Sequence, residues 1–123
     1  MAKYDQTPVF KQSYDLIIKL YEISPKLSRD VRYTLAEQLK KDTLDMLKLI
    51  YLANFKSQAK DEYIKQALTK LAVIRLQCRI LKDLKQVTTK SYAQITLMTE
   101  SIAAQLSSWL KYTKATNKNE TTT

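Results

Sequence analysis

The sequence predicts an all-α protein built as an up-down-up-down four-helix bundle. Three observations lead there. The 123 residues contain no Gly and only two Pro, Pro8 and Pro25, so the primed turns of β-hairpins lose their best residue. Apolar residues recur three and four apart through four long runs, the spacing of a helix face. Short polar connections separate those runs, and helices joined in that way pack as a bundle, with the first and third parallel and the second and fourth parallel. The apolar fraction of 45% and charged fraction of 27% suit such a bundle, and the length suffices for one domain with a sizeable core.

The first helix is expected to begin at "TPVF", with Thr7 as cap and Pro8 at the first helical position. Phe10, Tyr14, Ile17 and Tyr21 or Leu20 then fall at core spacing. "ISPK" should end it, because Pro25 disfavours a helical Ser24. The second helix starts near "SRDV", capped by Ser28 or Asp30, and runs to Asn54. Its stripe is Val31, Leu35, Leu39, Met46, Leu49 or Ile50, and Ala53. Asp42 interrupts the stripe and calls for a basic partner across the bundle. "FKSQAK" connects to a third helix that opens on Asp61 and Glu62, acids suited to a helix N-terminus, and ends near Leu84 or Lys85. "QVTT" connects again, with Thr88 or Thr89 as cap. The fourth helix runs from about Lys90 to Tyr112, with Tyr92, Ile95, Met98, Ile102, Leu106 and Trp109 as core. Residues 1–114 form the bundle, and 115–123 are expected as a disordered polar tail.

The third helix carries the functional signal. Around "LAVIRLQCRILKDLK", residues 71–85, Ile64 and Leu68 (both just upstream), Leu71, Ile74, Cys78 and Leu81 share one face at 100° per residue. Val73, Leu76, Ile80 and Leu84 form a second apolar stripe on roughly the opposite side. A bundle helix needs only one such face. The second stripe is covered either by the chain itself or by another subunit, and exposed apolar stripes usually mark contacts. Arg75, Arg79 and Lys82 lie together between the stripes. From Lys65 to Lys90 the cations Lys65, Lys70, Arg75, Arg79, Lys82, Lys85 and Lys90 face a single acid, Asp83. The plain reading of such a run is a solvated face. The scarcity of acids and the apolar far side argue for a polyanion. Repeated subunits would sum weak phosphate contacts. Net charge is +9 and the pI about 9.6, which fits nucleic acid, an anionic membrane or an acidic protein.

The residues that are missing narrow the chemistry. There is no His, so the commonest general base and metal ligand are absent. Cys78 is the only cysteine, so neither an internal disulfide nor a cysteine zinc site forms, and a buried thiol there acts as a small hydrophobe. Without Gly there is no P-loop and no dinucleotide fingerprint. The expectation is no enzyme activity, no catalytic or metal-binding residue and no cofactor. No run approaches the ~20 apolar residues of a membrane span, and "MAKYDQTPVF" lacks the apolar core of a signal peptide. A reducing, cytoplasmic location is expected. Arg29 and Arg32 either bind phosphate or pair with Asp30, Glu37 or Asp42. Of the eight Tyr, most fall beside core residues, and Tyr112, between Lys111 and Lys114, is the best exposed candidate for stacking on a base.

Two long segments, "ISPKLSRDVRYTLAEQLKKDTLDMLKLIYLAN" and "LAVIRLQCRILKDLKQVTTKSYAQITLMTESIAAQLSSWLK", resemble a family of small bacterial four-helix-bundle proteins. It includes the accessory variability determinants (Avd) of diversity-generating retroelements and relatives encoded by intervening sequences of ribosomal RNA genes. The resemblance covers roughly Tyr14 to Lys114, and its closing segments are more similar to the retroelement branch. Ser107 and Ser108 stand where glycine often precedes the final Trp. The resemblance implies a homo-oligomeric, pentameric barrel with a basic surface. It implies binding to nucleic acid and to a reverse transcriptase, and support of mutagenic complementary-DNA synthesis from template RNA. The polymerase site would belong to the reverse transcriptase. The basic surface maps by helix onto Arg75, Arg79, Lys82 and Lys85, with Lys90 beyond them, and Val73, Leu76, Ile80 and Leu84 become the oligomer interface. An RNA-binding bundle of the ribosomal intervening-sequence type, or a protein-interaction module without nucleic-acid binding, are the alternatives.

Overall fold

The computed structural model describes residues 7–55 and 58–121, with side chains through Thr116. Of the expected connections and termini, Lys56 and Ser57, the first six residues and the last two lie outside that range. Every regular element among the described residues is helical. The first, α1 (Pro8–Ile23), has Thr7 at the N-cap position in an extended conformation and Pro8 at the first helical position, where a missing N–H costs nothing. Pro25 does not push Ser24 out of the helical region, contrary to expectation. Ser24 stays αR with its N–H on the Leu20 carbonyl, and a 3-10 turn over Ser24–Lys26 follows before Leu27 turns extended.

The expected second helix is two helices. A single turn, α2 (Arg29–Arg32), is separated from α3 (Leu35–Phe55) by a break at Tyr33 and Thr34. The Thr34 hydroxyl donates to the Asp30 carbonyl, and its N–H reaches back only to Val31 at 3.4 Å. A β-branched residue bonded to the previous turn tightens and bends the helix there. The remaining helices are α4 (Lys60–Asp83) and α5 (Thr89–Thr121). Thr88 caps α5, accepting the Ser91 N–H at 3.0 Å. The last helix continues past Tyr112 to Thr121, through most of the segment expected as a disordered tail. That segment holds no Gly or Pro to stop it.

Contacting pairs fix the topology. Lys19 donates to Gln94 and Gln105 to Gln12, so α1 and α5 are antiparallel. Arg75 faces Glu100 and Lys82 faces Tyr92, so α4 and α5 are antiparallel. The helices α1 and α4 each pack on both α3 and α5, which places them diagonally across the bundle. This is the expected up-down-up-down arrangement. Leu16, Leu20, Leu39, Met46, Ile50, Ile64, Leu71, Ile74, Leu81, Ile95, Ile102 and Leu106 are fully buried at its centre, each side chain stabilising the fold by roughly 1.5–3 kcal/mol. On α1 the buried face is Val9, Phe10, Ser13, Leu16, Ile17 and Leu20; Tyr14, expected in the core, is half exposed, and of the alternatives Tyr21 and Leu20 it is Leu20 that is buried while Tyr21 is half exposed. Leu68 on α4 and Tyr92, Met98 and Trp109 on α5 pack at the core's edge. Among the described residues no helix is long and apolar enough to cross a membrane.

Asp42 has found its basic partner. Its carboxylate is buried and accepts hydrogen bonds from Gln38 (3.1 Å), Gln77 (3.0 Å) and Lys70 (3.4 Å). Burial pushes the carboxyl pKa up, but those three donors and the Lys70 charge together hold it below the ordinary aspartate value. Gln77, one helical step from Ile74, was not among the expected core residues. It is buried because it reaches Asp42 across the α3–α4 seam.

The end of α4 shows what a chain without glycine does at a left-handed position. Lys85 has φ 60°, with its N–H on the Lys82 carbonyl and the Gln86 N–H on Leu81, both at 2.9 Å. This is the Schellman pattern, in which glycine is the usual residue. A β-carbon in that conformation costs on the order of 1 kcal/mol. Lys85→Gly is therefore expected to stabilise the fold by about 1 kcal/mol in urea unfolding. A loss of stability would mean that the lysine side chain holds the turn.

Candidate nucleic-acid interface

The core of α4 fixes the orientation of its cations. With Leu71, Ile74, Cys78 and Leu81 buried against the other helices, Arg75 and Arg79 project from successive turns and Lys82 from the next. They border the groove between α4 and α5. Tyr92, Thr96 and Thr99 line its other wall, over Cys78 and Ile95. Arg75 Nη2 lies 4.0 Å from Glu100 Oε1, and Arg79 Nε lies 3.5 Å from Asp83 Oδ2. All four side chains are about half exposed or more, so both pairs are screened by water and open readily to a competing phosphate. The Lys82 ammonium lies 5.0 Å from the centre of the Tyr92 ring. Lys85 stands in the left-handed turn beyond the helix and Lys90 in the first turn of α5, both exposed. The structure thus gathers Arg75, Arg79 and Lys82 along one groove and places Lys85 and Lys90 at the connection where that groove ends.

The second stripe of α4 faces solvent. Val73, Leu76, Ile80 and Leu84 are 41%, 61%, 38% and 51% exposed. No neighbouring helix covers them, so the choice between coverage by the chain itself and an open surface falls to the open surface among the described residues. Leu76 also reaches the edge of the basic groove, so the apolar and cationic surfaces adjoin.

Arg29 and Arg32 pair with none of the acids considered for them. The Arg32 guanidinium donates to the Leu27 carbonyl at 3.2 Å and lies 5.6 Å from the Tyr33 ring centre. The Ser28 N–H donates to Gln86 Oε1 at 2.9 Å, which joins the start of α2 to the α4–α5 connection. That bond carries Arg29 to the end of the bundle that holds Lys85 and Lys90. Nothing in the sequence marks Gln86 as the tie, because a tertiary hydrogen bond between two loops leaves no periodic trace.

The site's chemistry is electrostatic. Cations on a rigid helix hold a phosphodiester backbone without reading base edges. The Cys78 thiol is buried, and burial raises its pKa to about 12, so it stays protonated and unreactive at neutral pH. Among the described residues no group of three or more His, Cys, Asp or Glu side chains converges on a possible metal position.

A family model described as bAvd-like matches residues 9–113, from the first turn of α1 to Thr113 in α5. No curated protein matches the chain.

Proposed function

The chain belongs to the bAvd-like family, and from that premise we propose that it is a non-catalytic accessory protein of a diversity-generating retroelement. In this reading Arg75, Arg79, Lys82, Lys85 and Lys90 hold template RNA by its phosphates. Val73, Leu76, Ile80 and Leu84 join copies of the chain into the pentameric barrel that the family resemblance implies. The assembled particle presents the RNA to the reverse transcriptase, which carries the polymerase chemistry. The observation that supports the reading best is the pairing, on one helix, of an exposed cation row with an exposed apolar stripe. Oligomerisation through the stripe repeats the row around the particle, so that individually weak phosphate contacts add.

Two experiments test it. Purified chain should sediment as an oligomer. Leu76→Asp combined with Ile80→Asp should reduce it to a monomer with unchanged helicity, because a buried unpaired carboxylate disrupts an interface. If the variant sediments like the parent, the interface lies elsewhere. Co-expression with a reverse transcriptase encoded beside it should recover the two together with RNA. If the reverse transcriptase is lost while RNA remains, the chain is an RNA-binding bundle without a polymerase partner. A monomer indifferent to RNA would instead make the apolar stripe a docking face for a partner helix.

A further inference from the structure

The basic groove ends at a pole of the bundle where the sequence places no single motif. Four segments meet there: the turn after α1, α2, the end of α4 and the start of α5. The Ser28–Gln86 bond at 2.9 Å ties the second of these to the connection between the last two. Lys26, Arg29, Lys85 and Lys90 stand at this pole with no ion-pair partner among the described residues, and Asp83 is engaged with Arg79. In the same place the break between α2 and α3 sets out Tyr33. Its ring is 63% exposed. The backbone holds it at φ −96°, ψ 2°, with its N–H on the Arg29 carbonyl at 3.3 Å. The Arg32 guanidinium lies 5.6 Å from the ring centre, itself anchored on the Leu27 carbonyl.

An exposed ring beside the Arg32 guanidinium, at the pole where Lys26, Arg29, Lys85 and Lys90 stand without ion-pair partners among the described residues, matches the way proteins hold unpaired strands. Phosphates settle on the cations and a base stacks on the ring, whatever its identity. A duplex offers the phosphates but keeps its bases stacked inside. We infer that the basic pole binds an unpaired stretch of nucleic acid, with Tyr33 as the platform on which one base stacks. The inference rests on the nucleic-acid reading above and adds to it a strand preference and a stacking residue. Tyr112 is more exposed, at 72%. It lies near the far end of α5 from this pole, next to Lys111 and two residues from Lys114 in the sequence, and serves as the control.

The test uses the full chain with a labelled single-stranded RNA of mixed sequence and the same RNA as a blunt duplex. Anisotropy should show Tyr33→Ala weakening single-strand binding about tenfold while leaving duplex binding unchanged. Tyr33→Phe should bind like the parent, and so should Tyr112→Ala. Placing 2-aminopurine in the single strand gives a direct signature, because stacking quenches its emission. Binding to the parent should quench it, and binding to Tyr33→Ala should not. Equal losses on single strand and duplex, or no loss, would overturn the stacking role while the basic groove stands. If the parent binds neither RNA, the nucleic-acid reading fails and the stacking role with it.

Discussion

Arg75→Glu combined with Arg79→Glu is expected to weaken RNA binding by on the order of 100-fold at moderate salt while the melting curve stays nearly unchanged. Both side chains are exposed, and each rests against one acid at 3.5–4.0 Å in water. Exposed pairs of that kind contribute at most about 1 kcal/mol to folding, so their loss leaves the bundle intact. The effect on a polyanion is larger, because each reversal removes a phosphate contact and adds a repulsion in its place. Oligomerisation would repeat the change in every subunit. Retention of RNA on a filter, with circular dichroism on the same samples, separates binding from folding. A folded variant that binds as the parent does would show that the groove between α4 and α5 is not the site.

The largest effect on stability is expected at Asp42. Asp42→Ala should destabilise the fold by about 3 kcal/mol, since it leaves Gln77 buried without the acceptor for its amide and leaves Lys70 only its second, more exposed partner, Asp45 at 3.6 Å. Asp42→Asn keeps only one of the two oxygens on which Gln38 and Gln77 donate separately, and should cost less, about 2 kcal/mol. The pH dependence follows from the direction of the carboxyl's shift. Its pKa in the folded protein lies below the ordinary value of 3.8, so the unfolded chain takes up this proton first. The stabilisation is complete above about pH 5 and is lost as the pH falls through 3.8 and then through the folded pKa. Urea unfolding of parent and Asp42→Asn should show a gap at pH 7 that narrows below pH 4. A gap independent of pH would mean that the ionised form contributes nothing.

Periodicity made the bundle legible because the helices are long and their buried stripes regular. On α4 it separated the core stripe from the exposed one and located the cation row between them. It was less decisive on α1, where Tyr14 and Tyr21 share the three-and-four spacing of Leu16 and Leu20 on an adjoining face. Spacing alone does not say which face meets the neighbours. The break at Tyr33 and Thr34 was hidden because it arises from one hydroxyl bonding the preceding turn, in a stretch without Gly or Pro. Lys85 gave no turn signal for the same reason: the position that normally takes glycine holds a lysine. The pole that unites Arg29 with Lys85 and Lys90 depends on Ser28 and Gln86 meeting across the bundle, a contact between distant segments that one-dimensional patterns do not carry.

The most direct measurement is the salt dependence of single-stranded RNA affinity for the parent chain and for the Arg75→Glu, Arg79→Glu double variant. If Arg75, Arg79, Lys82, Lys85 and Lys90 of one subunit each neutralise a phosphate, log affinity should fall against log salt with a slope of about −3.5, and the double variant should lose at least about 1.4 of that slope. An affinity indifferent to salt, or the same slope in both proteins, would contradict the assignment of this helix as the surface that holds the polyanion.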